Sequence, residues 1–240
     1  MECEDKNRVK GTNCKLASTE KIKYMKIFNT LILLVIFNLT VFGTAQSPDK
    51  LLYNGKEYKL HTNPMESYFE KYPEKRPKSK MWSSALERGY VATFEIIDNQ
   101  LYLKDIEIQT FKPFKRHRFE YEWKSVKNKV FPNQKLIKID WVTGLLIIPY
   151  GEIVDYVHLE YGSIYEHYII LEIENGSLKK EKQLEYQEFV EFREKQFQIY
   201  KETEEYKKSK QELKEMTEWD DEFIDYVLQS YISTYIKNID

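Results

Sequence analysis

The sequence predicts an α+β fold: a mostly antiparallel meander of about seven strands, packed by two C-terminal helices, with one short helix near the N-terminus. Three observations predict it. Asn-Gly and Gly-Ser pairs punctuate short alternating apolar runs, which is how two-residue hairpins read. Beyond Leu184 the spacing of apolar residues changes from two to three or four. Tyrosine and phenylalanine number 19 and 13 in 240 residues, a supply of strand-forming aromatics that suits a sheet with one sticky face.

Residues 1–24 are polar and charged and read as an upstream extension. Met25 opens a different pattern: Lys26 as a short positive region, an apolar run over residues 31–42, then Gly43-Thr44-Ala45 as small residues before Gln46. This is a signal peptide pattern over residues 25–45. The alternative is a signal anchor, with residues 27–45 held in the inner membrane, against which Asn29, Thr30, Asn38 and Thr40 weigh. Both cysteines, Cys3 and Cys14, precede the leader. The mature chain therefore has no disulfide framework and no thiol chemistry.

Residues 46–240 suffice for a single α+β domain with its own core. The whole chain has 37 Lys and Arg against 39 Asp and Glu, a formal net charge of −2. That balance argues against general nucleic-acid binding, which needs an excess of cations to neutralise phosphates.

The first hairpin runs through Leu51-Leu52-Tyr53, turns at Asn54-Gly55 and returns over residues 56–60. Asn63 as N-cap and Pro64 at the first helical position start a short helix ending near Lys71. Residues 72–80 form a proline-broken basic loop, read as a solvated surface with anion or lipid-headgroup contact as the alternative. A long hairpin over residues 89–108 turns near Asp98; Tyr90, Ala92, Phe94 and Ile96 share one face, and Leu101, Leu103, Ile106 and Ile108 of the return strand supply core. Residues 111–123 mix Lys and Arg with aromatics and read as an amphipathic edge segment; binding of single-stranded nucleic acid is the alternative.

Ile137, Ile139 and Trp141 share one face of a strand over residues 136–141, and Asp140 lies on the other. The run 145–148 is apolar throughout, as in a strand buried on both faces, and Pro149 and Gly151 are expected to end it. A second Asn-Gly pair, Asn175-Gly176, turns the chain into residues 177–182. After Leu184, Phe189, Phe192, Phe197, Tyr200 and Tyr206 form one helical stripe. Thr217 is expected to cap a second helix that carries Phe223, Ile224, Val227, Leu228, Tyr231 and Tyr235, and residues 201–214 read as a helix end or linker.

Candidate chemistry centres on residues 156–176. With Gly162-Ser163 as a two-residue turn, His158 faces His167, and Tyr156, His158, Glu160, Tyr165 and His167 share one face of the sheet. Two imidazoles and a carboxylate at that spacing are the minimum for a zinc site or a general acid–base pair. His167 also shares its face with Ile169 and Leu171, which fits a hydrogen-bonded core histidine instead. Tyr156 and Tyr165 are the candidate binding aromatics.

The stretches GYVATFEIIDNQLYLKDIEI (residues 89–108) and WVTGLLIIPYGEIVDYVHLEYGSIYEHYIILEIENG (residues 141–176) resemble an uncharacterised family of exported bacterial proteins. The resemblance covers roughly residues 51–206. It implies export, and supplies no activity, cofactor or catalytic residue. In general shape the chain is also similar to immunity-type domains of bacterial toxin systems.

No GxSxG, HExxH, GxxxxGK or GxGxxG pattern occurs. The leading expectation is an exported cell-envelope protein, periplasmic or secreted, that binds a protein or peptide partner and needs no cofactor. It has no nucleic-acid partner and meets the membrane only through its leader. One alternative is a metal-assisted envelope hydrolase using His158, Glu160 and His167, with zinc held by His158 and His167. The other is a glycan-binding module using Tyr156 and Tyr165.

Overall fold

The structure, a computed structural model, describes residues 44–79, 81–112 and 121–239. β1 (Asp49–Tyr53) and β2 (Lys56–Leu60) form the first hairpin. Asn54 and Gly55 both take positive φ, 50° and 75°, as a type I′ turn requires. α1 (Glu66–Lys71) ends where expected but begins two residues after Pro64 and has no side-chain cap. The reason is local: the Asn63 side chain that would cap it accepts the Tyr161 hydroxyl instead, at 2.9 Å.

β3 (Val91–Ile97) and β4 (Gln100–Phe111) form the long hairpin around Asp98-Asn99. β5 (Tyr121–Ser125) returns along the far half of β4. A one-turn helix, α2 (Lys127–Val130), leads to β6 (Ile137–Lys138), which is shorter than the six-residue strand expected. β7 (Gly144–Asp155), β8 (Ile164–Glu174) and β9 (Ser177–Glu185) are long antiparallel partners. β7 runs straight through Pro149 and Gly151 rather than ending there. It is the last strand of the order, where proline is tolerated. The φ of +82° at Gly151 accompanies a register shift after Tyr150.

Among the described residues the sheet has nine strands rather than about seven, in the order β2-β1-β3-β4-β9-β8-β7, with β5 and β6 both paired to β4. β1 and β3 are parallel and the other pairings antiparallel. The ends of the order meet: the His61 amide donates to the Ile147 carbonyl at 2.8 Å, and Tyr58 packs edge-on to Tyr150. The sheet thus curls towards a cylinder. Its inside holds Leu51, Phe94, Leu101, Leu103, Ile106, Leu146 and Leu171, and Met65 and Phe69 of the α1 segment join that core.

α3 (Tyr186–Lys201) starts at a capping box formed by Glu185 and Glu188. α4 (Glu204–Met216) is a separate helix in the stretch read as a helix end or linker, and Thr217 ends it. α5 (Asp221–Ser230) is capped by Asp220, whose carboxylate accepts the Phe223 amide at 2.8 Å. A short α6 (Ile232–Tyr235) follows. The predicted aromatic stripe is buried as a second core: Phe189, Phe192, Phe197, Tyr200 and Tyr206 pack with Leu145, Ile147 and Ile170. Among the described residues no helix is long and apolar enough to cross a membrane. The leader through residue 43 and the basic residues 113–120 lie outside the described residues.

Candidate functional site

The Gly162-Ser163 hairpin does not form. Asp155 pairs with Ile164 and Tyr150 with His167, so residues 156–163 are an eight-residue loop. Gly162 is not in the left-handed region that a primed turn requires. Its small size is used instead for close packing, since a Cβ there would press on Val157 and the Leu159 carbonyl. The Ser163 hydroxyl closes the loop, accepting from the Val157 amide at 3.0 Å and donating to the Val157 carbonyl at 3.1 Å.

The predicted site residues therefore separate. His158 stands in the loop, 2.7 Å from the Tyr156 hydroxyl. His167 stacks on Tyr150 with ring centroids 5.0 Å apart and meets Glu185 at 2.9 Å. Tyr156 is exposed, whereas Tyr165 is half-buried and edge-on to His61. Among the described residues no group of three or more His, Cys, Asp and Glu is placed to hold a metal ion.

Glu160 has a different setting. It takes φ of +46°, forms an isolated parallel bridge with Ala45, and its carbonyl accepts the Gln46 amide at 3.3 Å. Its residue lines a hollow of about 200 Å³ together with Gln46, Glu66, Glu87, Arg88, Tyr161 and Tyr231. Burial, reinforced by Glu87 and opposed by Arg88, pushes the Glu160 carboxyl up to about 7. Among the described residues no ion pair engages Glu87 or Glu160.

Arg88 anchors this hollow from inside the fold. It donates to the fully buried Asp49 at 3.0 Å, to the Ser47 carbonyl at 2.7 Å and to the Tyr161 hydroxyl at 3.3 Å. Asp49 also accepts the Ala92 amide at 2.8 Å. Burial raises the Asp49 carboxyl against the pull of Arg88. Glu66 is held below the usual carboxylate range: burial opposes this, and a bidentate pair with Arg76 at 3.1 and 2.8 Å, aided by the Tyr90 hydroxyl at 2.6 Å, outweighs it. His61, stacked on Tyr161 at 4.7 Å, is lowered to about 3 by burial and stays neutral.

A larger cleft of about 520 Å³ adjoins the hollow, sharing Asn63, Glu66 and Ser233 with it. Trp141, Val142, Leu145 and Ile236 line its apolar side, and Glu70 and Lys237 bring opposite charges. The buried Thr62 hydroxyl, on a residue of its wall, has no hydrogen-bond partner among the described residues. The cleft collects the β2–α1 connection, the entry to β7 and the C-terminal segment after α5. Sequence reasoning found Glu160 but missed Asp49, Glu66, Glu87 and Arg88. No pattern links Asp49 to a partner 39 residues away. A scan of protein-family models, a search of curated proteins and a search of solved structures each return no match.

Proposed function

We propose that the protein is an exported binding protein of the cell envelope that takes a peptide segment of a protein partner in the 520 Å³ cleft. The cleft carries the reading. It lies within the ~300–1,000 Å³ range of binding pockets and combines an apolar wall with a few polar groups and both signs of charge. A peptide presents the same mixture of apolar side chains, amides and charges. A photo-crosslinking residue at Ser233, on the cleft, is expected to give one discrete protease-sensitive adduct in living cells. Exchanging the charges in the variant Glu70→Lys/Lys237→Glu should abolish it. Absence of an adduct, or its survival in the exchanged variant, would remove the proposal.

Export rests on the pattern over residues 25–45, and the hollow supports it. Cleavage after Ala45 converts the Gln46 amide, 3.3 Å from the Glu160 carbonyl, into an ammonium beside Glu87 and Glu160. That sets a second cation, besides Arg88, against the two carboxylates. Mass spectrometry of the native protein is expected to find Gln46 as the first residue; an intact leader would favour the anchored alternative.

The hydrolase alternative draws on one observation, a Glu160 carboxyl near 7, suited to proton transfer at neutral pH. The binding reading expects no zinc in the native protein and an unchanged biological effect in His158→Ala and His167→Ala. Stoichiometric zinc lost with either histidine would favour the hydrolase.

A further inference from the structure

Among the described residues β5 pairs with β4 alone, which leaves its other side unpaired. The direction of its backbone groups follows from one bond. The Val126 amide donates to the Ile106 carbonyl at 2.8 Å, in the same register that sets Lys124 against Ile108 and Glu122 against Thr110. Backbone groups alternate along an antiparallel strand, so those of Lys124 and Glu122 also point at β4. The N–H and C=O groups of Tyr121, Trp123 and Ser125 therefore point outward. This is an open edge, with donors and acceptors set to pair another strand. Every residue of β5 is exposed, and Tyr121 and Trp123, at 60% and 45%, lie together on one face.

The sequence of β5 identifies the strand that fits. Two copies lying antiparallel must set the outward groups of Tyr121, Trp123 and Ser125 against one another, so an overlap of more than one such pair is centred on Glu122, Trp123 or Lys124. Centred on Glu122, two carboxylates meet; centred on Lys124, two ammonium groups meet. Centred on Trp123, Glu122 of each copy faces Lys124 of the other, Trp123 faces Trp123 and Tyr121 faces Ser125. Neither Glu122 nor Lys124 has an ion pair among the described residues. Opposite charges and aromatic pairs directly across a ladder stabilise it, and like charges oppose it. A lone lysine blunts an edge strand; with a glutamate two residues before it, the same lysine selects a partner.

We propose that β5 pairs edge to edge with β5 of a second copy of this chain, centred on Trp123 about a two-fold axis. No residue of β5 lines the 520 Å³ cleft, so the two contacts are separate. In sedimentation velocity over a concentration series, the native protein is expected to pass from monomer to dimer. Glu122→Lys leaves only like charges across the axis, and so does Lys124→Glu; each variant alone should associate about tenfold more weakly. Mixed in equal amounts, the two variants meet with opposite charges and should form a heterodimer as tight as the parent dimer. Both positions are exposed, and far-UV circular dichroism melts matching the parent's confirm that the variants are folded. Any retained leader is common to all three chains. Three results would overturn the proposal: a parent that stays monomeric, which would leave the edge to another protein's strand; a single variant that dimerises as tightly as the parent; or a mixture that associates no more tightly than its components.

Discussion

Glu160 combines a left-handed backbone with a partly buried carboxyl that carries no ion pair among the described residues. Both features cost stability, and the second is testable through pH. Its folded value of about 7 lies above its ordinary value of 4.5. A carboxyl raised in this way binds its proton more tightly in the folded state. Its contribution is complete below the ordinary value and is lost as pH rises through about 7. Glu160→Gln removes the titration. In a chain kept extended before Gln46, the parent should lose about 1 kcal/mol relative to the variant between pH 5 and pH 8, after discounting for solvent screening. That corresponds to a melting temperature about 2–4 °C lower. Parallel melting curves for parent and variant would show that another group controls the pH response. The carboxylate was legible as a candidate because it lies in the stretch richest in histidine and tyrosine. Its true neighbours were not, because Arg88 and Glu87 reach it through folding rather than through sequence proximity.

At the scale of elements, legibility followed the chemistry of turns. Asn54-Gly55 and Asn175-Gly176 adopt the paired positive φ values that only such residues accept readily. Gly176 is additionally irreplaceable, because a Cβ there would overlap the Ile139 carbonyl. Gly162-Ser163 carries a similar dipeptide signal, yet the glycine is not in the left-handed region and the serine acts through its side chain. The expected register fails where a side-chain hydrogen bond replaces a backbone turn. The same substitution displaced two helix starts: Asn63 is engaged by Tyr161, and Asp220 caps the helix expected to begin at Thr217. Ser163→Ala tests the importance of that hydroxyl. It leaves the Val157 amide and carbonyl without their buried partner and should cost about 1–2 kcal/mol in urea denaturation. Amide exchange should accelerate over residues 156–163 while the β8 core stays protected. Unchanged exchange at Val157 would show that the loop is closed by packing alone.

The described residues form two cores divided by one sheet, and β8 belongs to both. Ile170 faces the helices, Leu171 faces the inside of the curled sheet, and both are fully buried. This division was partly legible. The apolar run over residues 145–148 announced a strand covered on both sides, and the aromatic stripe after Leu184 announced what covers the outer one. The curl was not legible, because the meeting of β2 and β7 depends on accumulated twist, on the backbone bond from His61 to Ile147 and on the Tyr58–Tyr150 contact. A strand shared between layers should make unfolding cooperative across both. Ile170→Ala and Leu171→Ala are each expected to cost about 2–5 kcal/mol. The decisive reading is the pair of probes: in a Trp82→Phe/Trp123→Phe/Trp219→Phe background, Trp141 fluorescence reports the inner core against which it packs, and far-UV circular dichroism is weighted to the helices outside. In a single cooperative unit both probes shift to the same lower urea midpoint in both variants. If Ile170→Ala moved the helical signal alone, or Leu171→Ala the tryptophan alone, the layers would be separate units and the sheet a boundary rather than a shared core wall.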